Sequence, residues 1–400
     1  MKSILLSAVL VAVAGCASAP PSHPASTVPS SGLVSGIAVA DSAIQASIGK
    51  LTPGAVFVVT KNGQVIHDRA FGTVHTTTIF DLASVTKVLS TTFAMMMLVD
   101  QGKVDLDAPV YTYLRDFRGP HLDSITPRHL LQHSAGLVQW QPLYYQASNT
   151  AQTYDAIRDM PLQWGVGEGR HYSDFSFMLL GDIVEHVSGQ RLDVFMDSAL
   201  YKPLGLHSTT FNPKRKGLTD FAATEEGNGY EKHMVYDSTF GYRYRGDPKS
   251  WDGWRTGTLI GEVNDGNSFY ANDGVAGHAG LFSTGTEASV LLNVLLNHGS
   301  YGGRTYVSPG VIDRFFTLDK YQNYLGWQYP AGTPPGTFSH TGFTGTYVLG
   351  DPRDGVAIVL LTNRQHMGTD AKGFFPNLGP LQAAVAKAII DGAAADAKKP

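Results

Sequence analysis

Three short strings in this chain carry side chains that could together hydrolyse an amide or an ester. Ser84 and Lys87 are three positions apart, and residues with this spacing share one face of a helix. A buried lysine loses its charge readily, and the neutral amine can then take the proton of a serine nucleophile. Tyr172 begins the second string, and a tyrosine near a cation can shuttle protons. The third string begins at His340, and its Gly342 would let a substrate backbone approach a strand edge closely.

The Ser-x-x-Lys spacing is not specific by itself. Ser47 and Lys50 have the same spacing, but they lie near the end of a predicted helix and enclose a glycine. Ser84 instead opens a predicted helix that continues through the strongly apolar stretch 88–99. The three consecutive methionines of this stretch are expected to pack in the core. Because such a helix would hold its side chains rigidly, Ser84 and Lys87 are the stronger candidates for chemistry.

The elements that must position these strings are predicted from both ends of the chain. Apolar residues at helical spacing predict a first helix over 36–51, and a last helix that Pro380 opens. Strand pairs are predicted within 55–71, around an Asn-Gly turn, and within 346–362. Because strict βαβ alternation is missing, we expect one antiparallel sheet assembled from both chain ends. The middle, about 85–280, is predicted to be rich in helices and loops.

The first 35 residues are predicted to lie outside the folded body. Residues 1–15 combine a positive start with a short apolar run, which is typical of a signal peptide. The run ends in Val-Ala-Gly before Cys16, which resembles the bacterial lipoprotein processing box, although an ordinary signal peptide is the alternative. Residues 16–35 are rich in Pro, Ser and Ala and predict a flexible tether. We therefore expect lipid anchoring through Cys16 in the cell envelope, facing the periplasm, and Ala17 favours the outer membrane.

The composition excludes several classes of function. The 400 residues carry 30 Lys and Arg against 34 Asp and Glu, so no basic field exists to hold nucleic acid. A single cysteine excludes an internal disulfide framework and any multi-cysteine metal site. His129 and His133 are four positions apart, but no glutamate completes the His-Glu-x-x-His pattern. We therefore expect neither a metal nor another cofactor.

The order of the three strings resembles the signature of the serine beta-lactamase and penicillin-binding protein superfamily. The resemblance covers about residues 40–390. Within the superfamily, the chain resembles the class C beta-lactamase-like proteins, and most of all the D-alanyl-D-alanine carboxypeptidases of the penicillin-binding protein 4B type. Further matching strings lie at 125–137, 201–206, 261–267, 274–283, 340–345 and 361–364.

This resemblance implies an α/β, beta-lactamase/transpeptidase-like fold with two parts. A five-stranded antiparallel sheet flanked by the terminal helices would form the α/β domain, from residues 36–84 and 280–395. An inserted, mostly helical and loop-rich domain would span residues 85–279, and the active site would lie between the two.

The resemblance also implies roles for single residues. Ser84 would be the nucleophile, and Lys87 and Tyr172 would move its proton. The backbone N–H groups of Ser84 and Phe343 would form the oxyanion hole. The residues expected to contact the substrate are Asp174, His278, His340, Thr341 and Gly342, with a turn-stabilising role as the alternative for His278.

Two of these residues depart from the superfamily pattern. His340 stands where a lysine is usual, and a neutral imidazole would weaken the positive field that holds a substrate carboxylate. Asp174 stands where an asparagine is usual, and its charge could raise the pKa of Lys87 and shift proton transfer toward Tyr172. Both changes disfavour penicillin hydrolysis more than they disfavour acyl transfer.

We therefore predict a periplasm-facing serine hydrolase that forms an acyl-enzyme on Ser84. The expected substrate is the D-Ala-D-Ala end of a peptidoglycan peptide. A carboxylesterase on the same scaffold that takes a small ester or amide is the first alternative. A non-catalytic peptidoglycan-binding lipoprotein and a true beta-lactamase are the weaker ones.

Overall fold

The structure is a computed structural model that describes residues 31–240, 242, 244 and 246–397. The predicted signal peptide, Cys16 and most of the predicted tether lie outside the described residues, so lipidation stays a prediction. The helices of the described residues are α1 Ser31–Ser47, α2 Phe93–Asp100, α3 Pro127–Leu131, α4 Thr150–Asp159, α5 Asp174–Ser188, α6 Leu192–Met196, α7 Gly229–Tyr236, α8 Gly285–Leu296, α9 Pro309–Phe315 and α10 Gly379–Ala397.

The strands form one large sheet and three small ones. In chain order the strands of the described residues are β1 Gly54–Lys61, β2 Gln64–Gly72, β3 Phe80–Asp81, β4 Thr210–Phe211, β5 Ala223–Glu226, β6 Thr258–Ile260, β7 Leu281–Ser283, β8 Ser300–Tyr301, β9 Arg304–Thr305, β10 Phe338–Thr341, β11 Tyr347–Asp351 and β12 Val356–Thr362. The large sheet has the order β10-β11-β12-β1-β2, and all its pairings are antiparallel.

This sheet confirms the predicted fold class, because the two ends of the chain meet at its centre. β1 pairs with β12 over seven residues, from Ala55 opposite Thr362 to Lys61 opposite Val356. The hairpin between β1 and β2 turns at Asn62 and Gly63, whose φ angles of 50° and 79° suit the tight turn that an Asn-Gly pair favours.

The terminal helices α1 and α10 cover one face of the sheet. Apolar residues of both helices, among them Ile44 and Ile389, pack with the sheet residues Phe57 and Ile358 in one buried cluster. Burying this apolar stripe is what fixes the two helices on the sheet, since helices gain most of their stability from packing.

The predicted boundaries at the start of the body were wrong by several residues. Helix α1 begins at Ser31, so residues 31–35 are helical and do not belong to the tether, and it ends at Ser47, before the predicted limit of 51. The backbone N–H groups of Gly32 and Leu33 each donate to the carboxylate of Asp396 at 2.9 Å. This cap comes from the far end of the chain, so local composition could not reveal it.

The other face of the sheet carries the larger core, which includes α2, α5 and α8. The three methionines of α2, Met95 to Met97, are buried there as predicted, and Met97 is the most exposed of them at 6%. None of the helices among the described residues combines the length and the apolarity that crossing a bilayer requires.

Candidate active site

Ser84 and Lys87 meet on one face of a short, irregular helical segment. Ser84 lies in the 3-10 turn Ala83–Val85, and Lys87 begins the π-helical segment Lys87–Thr92 that leads into α2. The Lys87 Nζ donates a hydrogen bond of 2.9 Å to the Ser84 Oγ. The geometry therefore joins the two residues that the sequence singled out, although the helix there is not the regular α-helix that was expected.

The backbone just before Ser84 is strained. Ala83 has a φ of 46°, which is uncommon for a residue with a side chain and marks strain that surrounding contacts must hold. Its N–H donates to the Asp81 Oδ1 at 2.8 Å, and the other oxygen of Asp81 accepts from the Asn264 N–H at 2.7 Å. Burial raises the pKa of Asp81 to about 6. These contacts fix the turn that presents Ser84.

Lys87 is fully buried beneath Ser84 and is paired with a carboxylate. Its Nζ lies 2.7 Å from the Asp174 Oδ1 and donates to the His278 backbone carbonyl at 3.1 Å. Burial alone would lower the pKa of Lys87, but Asp174 and then Tyr172 outweigh it, and the pKa is raised above its usual range. The resting Lys87 side chain is therefore an ammonium. A raised pKa is what we expected from an aspartate at position 174, where the superfamily usually has an asparagine.

Tyr172 lies between the lysine and two histidines. The Lys87 Nζ is 5.0 Å from the centroid of the Tyr172 ring. The ring of His133 packs against Tyr172 with centroids 4.4 Å apart, and His133 Nδ1 accepts the Ser173 N–H at 3.1 Å. His133 thus orients the tyrosine string. The sequence analysis considered His133 only for a metal pair, which it rejected, and within the matching string 125–137, because this contact joins segments about 40 residues apart.

His340 is buried and neutral. Its Nδ1 donates to the Thr341 backbone carbonyl at 2.8 Å, and its Nε2 has no partner among the described residues. Burial and then the nearby Lys87 lower the pKa of His340 to about 3. A carboxylate would find no positive charge at this position, which is the weakening expected from the loss of a lysine.

β10 lies directly against the turn that carries Ser84. Gly342 follows β10, and a side chain there would collide with the Leu82 carbonyl oxygen. The Thr346 hydroxyl donates to the same carbonyl at 2.9 Å. His340 and Thr341 belong to β10 itself, so the string lies at the end of this strand.

An open cavity of about 530 Å³ lies over these elements. Five of the predicted site residues line it, namely Ser84, Tyr172, Thr341, Gly342 and Phe343. Among the described residues, no backbone carbonyl accepts the N–H of Ser84 or of Phe343. Two amides on the wall of a cavity that also holds a nucleophile could stabilise an oxyanion there.

Four other predicted residues lie behind the cavity wall. These are Lys87, Asp174, His278 and His340. His278 and His340 are both 1% exposed and are not among the residues that line the cavity, so the substrate contact expected of them stays a prediction. Asp174 is turned toward Lys87 instead of the cavity. His278 accepts from Lys87 only through its backbone carbonyl, and its ring lies against Asp265.

Comparison with known proteins places this geometry in a family. The model of the family described as Beta-lactamase matches residues 40–376. The chain belongs to the beta-lactamase family. It is 35% identical over 369 residues to the N-acetylmuramyl-L-alanine amidase of Bacillus subtilis (strain 168), covering 82% of this chain and 80% of that protein.

Two further proteins extend the comparison. The chain is 32% identical over 357 residues to the "Putative D-alanyl-D-alanine carboxypeptidase" of Escherichia coli (strain K12), covering 78% of this chain and 79% of that protein. A penicillin-binding protein homologue from Caulobacter crescentus has the same fold, with a TM-score of 0.65, 19% identity, and coverage of 92% of this chain and 99% of that one. The predicted superfamily is confirmed.

His278 and Asp265 form a buried pair beside Lys87 in this beta-lactamase family member. The His278 Nε2 lies 2.9 Å from the Asp265 Oδ1. Burial would raise the pKa of Asp265, but His278 and hydrogen bonds from Ser268 lower it to about 2. The sequence analysis included Asp265 only within the matching string 261–267 and gave it no role, because only the fold brings it beside His278.

Asp174, Asp265 and His278 are also the residues that could hold a metal ion, with donor atoms within 4.8 Å of one another. The Lys87 ammonium, 2.7 Å from Asp174, already supplies the positive charge that these groups surround. A dication in the same place would be repelled by this ammonium at close range. The donor set therefore suits the lysine better than a metal, and we assign it to holding Lys87.

Arg170 is a site residue that the sequence analysis missed. Its guanidinium lines the cavity with Ser84 and forms no hydrogen bond or ion pair with another described residue. Burial lowers its pKa. By contrast, Arg364 on the same cavity is held by the carbonyls of Phe343, at 2.9 Å, and Pro376, at 3.1 Å. In the sequence, the position of Arg170 two residues before Tyr172 was the only signal of its role.

Replacing Arg170 with glutamine tests whether this guanidinium binds an anionic group of the substrate. We expect the KM for a peptide with free carboxylates to rise about 10- to 100-fold with little change in kcat, because a charge-assisted hydrogen bond contributes about 1.5–3 kcal/mol. Steady-state kinetics measures both constants, and turnover of an uncharged ester is the control. Equal losses on the ester and the peptide would contradict the role in anion binding.

Proposed function

We propose that this protein is a serine amidohydrolase that cleaves an amide bond of peptidoglycan fragments through an acyl-enzyme on Ser84. The observation that carries the proposal is the 2.9 Å hydrogen bond from Lys87 to Ser84, at the floor of an open cavity that Tyr172 and Phe343 also line. Ser84, Tyr172 and the oxyanion donors thus lie on one wall with Lys87 directly behind it, which is the arrangement that acyl transfer requires.

The reaction would proceed in two steps. Ser84 Oγ attacks the amide carbonyl, and Tyr172, reacting as a phenolate that the Lys87 ammonium stabilises, accepts the Ser84 proton. The amides of Ser84 and Phe343 bind the oxyanion. Tyr172 then returns the proton to the leaving nitrogen as the C–N bond breaks. In the second step water attacks the acyl-enzyme, its proton passes back to Ser84, and the carboxylic acid product is released.

Two amide bonds of peptidoglycan are candidates, and the names of the relatives suggest one each. A D-Ala-D-Ala bond has a free carboxylate on the leaving residue. The amide between N-acetylmuramic acid and L-alanine has none on that residue, because the L-alanine carboxyl is itself in a peptide bond. The neutral, buried His340 offers no charge for a carboxylate, which favours the N-acetylmuramoyl amide. The D-Ala-D-Ala bond is the second candidate, and Arg170 is the group that could support it.

A single substrate can separate these candidates. N-Acetylmuramoyl pentapeptide contains both bonds, and mass spectrometry distinguishes free pentapeptide from muramoyl tetrapeptide plus D-alanine. We expect release of the free pentapeptide by the wild type and no release by Ser84→Ala. Muramoyl tetrapeptide instead would favour the carboxypeptidase.

Two other outcomes would overturn the proposal. Turnover of p-nitrophenyl esters with intact muramoyl pentapeptide would favour the carboxylesterase. Binding to purified sacculi without any turnover would favour a non-catalytic lipoprotein. A periplasm-facing location with a lipid on Cys16 is part of the proposal, and it is supported by the Val-Ala-Gly-Cys string.

A further inference from the structure

A second cavity, of about 610 Å³, lies beside the segment that carries the catalytic tyrosine. Its wall includes Val138 and Gln139, whose backbone carbonyls accept hydrogen bonds from the Ser173 hydroxyl at 2.7 Å and the Asp174 N–H at 3.0 Å. The cavity wall and the tyrosine string are therefore one connected backbone unit. Its size is typical of a site for a small molecule.

Tyr242 links this cavity to the catalytic groups. Its ring lines the cavity and lies 6.2 Å from the ring of Trp140, which lines it too. Burial raises the pKa of Tyr242, and the charges of Asp174 and then Tyr172 raise it further. The phenol therefore lies within electrostatic range of both residues. A molecule in this cavity would lie against the Val138 and Gln139 backbone that holds Ser173 and Asp174, the two residues after Tyr172.

The chemistry of the lining is uniform. None of the described residues that line the cavity carries a charged side chain. What they supply instead are aromatic rings and primary amides, from Gln139, Trp140, Gln141, Tyr145, Gln146, Gln163, Tyr242 and Tyr244. Such a wall offers flat apolar faces together with amide donors and acceptors.

The aromatic wall is held rigidly from behind. Tyr145 packs on Tyr244 and on Trp251, with ring centroids 4.9 Å and 5.4 Å apart. The Tyr145 hydroxyl donates to the Pro248 carbonyl at 2.9 Å. Because neighbours fix these rings, a ligand that packs on them pays little side-chain entropy.

An N-acetylated sugar matches this wall. The C–H groups on the face of a pyranose ring are weakly positive and pack on the negative face of an aromatic ring. Its hydroxyl and acetamido groups can pair with glutamine amides, which both donate and accept hydrogen bonds. We propose that this cavity binds the N-acetylated sugar of the peptidoglycan fragment while the adjoining amide is cleaved at Ser84. The inference rests on the proposed function, whose favoured bond joins such a sugar to the peptide.

Two matched substrates test this role. N-Acetylmuramoyl peptide and D-lactoyl peptide contain the same scissile amide, but only the first has the sugar ring. We expect the wild-type kcat/KM to be at least 10-fold higher for the sugar substrate. Tyr242→Ala and Gln163→Ala should reduce this ratio, by about 10-fold for Tyr242→Ala, which removes an aromatic ring. Equal wild-type rates, or ratios unchanged in both variants, would overturn the sugar site.

A binding measurement separates failure of this inference from failure of the proposed function. Ser84→Ala protein titrated with N-acetylmuramoyl dipeptide in a calorimeter should show saturable binding that Tyr242→Ala weakens. Such binding without any turnover by the wild type would discard the proposed amidase and keep the sugar site. Turnover with no sugar dependence, or binding insensitive to Tyr242→Ala, would discard the sugar site alone.

Discussion

Ser84→Ala is expected to lower kcat for the amide substrate by roughly 10⁴- to 10⁶-fold, because losing the nucleophile removes the covalent pathway as a whole. The variant should fold normally, since Ser84 lies on the wall of an open cavity and only one hydroxyl is lost. Product release measured by mass spectrometry gives the rate. Intact-protein mass spectrometry with a fluorescent penicillin gives an independent readout, in which only the wild type should gain an adduct.

The chain contains its own matched control for this experiment. Ser47→Ala alters the other Ser-x-x-Lys string, in which the Ser47 hydroxyl donates to the Ile44 carbonyl at 2.7 Å at the end of α1. We expect wild-type activity and adduct formation from this variant. An adduct of equal yield on Ser84→Ala would show that the nucleophile lies elsewhere.

Lys87→Met should have the next largest effect, a loss of roughly 10²- to 10⁴-fold in kcat/KM, which is the usual range for a group that assists proton transfer. The variant also leaves Asp174 without its partner. Because one half of a buried ion pair is then unpaired, we expect a loss of about 3 kcal/mol in the free energy of unfolding. The double variant Lys87→Met with Asp174→Asn should recover stability and stay inactive, as thermal melts and kinetics would show. Recovery of activity in the double variant would exclude a chemical role for Lys87.

Asp174→Asn decides which form of Lys87 is active. Asp174 raises the pKa of Lys87 against the effect of burial, so the ammonium and its ion pair persist through neutral pH and are lost only as the pH rises through that raised value. Without the carboxylate, burial dominates and the pKa falls. We therefore expect an alkaline limb in the pH profile of kcat/KM for Asp174→Asn, at least one pH unit below that of the wild type. An acid limb that moved down instead would identify the neutral amine as the base.

Sequence reasoning located the elements of this protein well where the signal was local. The Asn-Gly hairpin, the apolar helix after Ser84 and the strand pair β11 and β12 each depend on neighbours within a few residues, and each was found. The pairing of both chain ends in one sheet followed from the same patterns. The pairing of Ser84 with Lys87 also rests on local spacing, because three positions set a shared face on any helix.

Contacts between distant segments were the ones that could not be predicted. Asp265 reaches Lys87 only through His278, and Asp396 caps a helix at the opposite end of the chain. His340 was expected to face the substrate, but its ring is buried. Side chains alternate between the two faces of a strand, and the sequence did not show which face this ring takes. Burial of an imidazole depends on what packs over it, and that is a property of the whole fold.

The pairing of β1 with β12 has a consequence for how the chain acquires its structure. Thr52 and Asn363, whose side chains hydrogen-bond at the end of these strands, are 311 residues apart. Closing so long a loop costs entropy before any contact offsets it, so folding should be slow. The β1–β2 hairpin must wait for the last strands to be synthesised, and until then the edge of β1 is unpaired. A ribosome-bound chain halted before β12 should therefore remain accessible to proteases and chaperones. Only the full-length chain should become resistant to proteolysis.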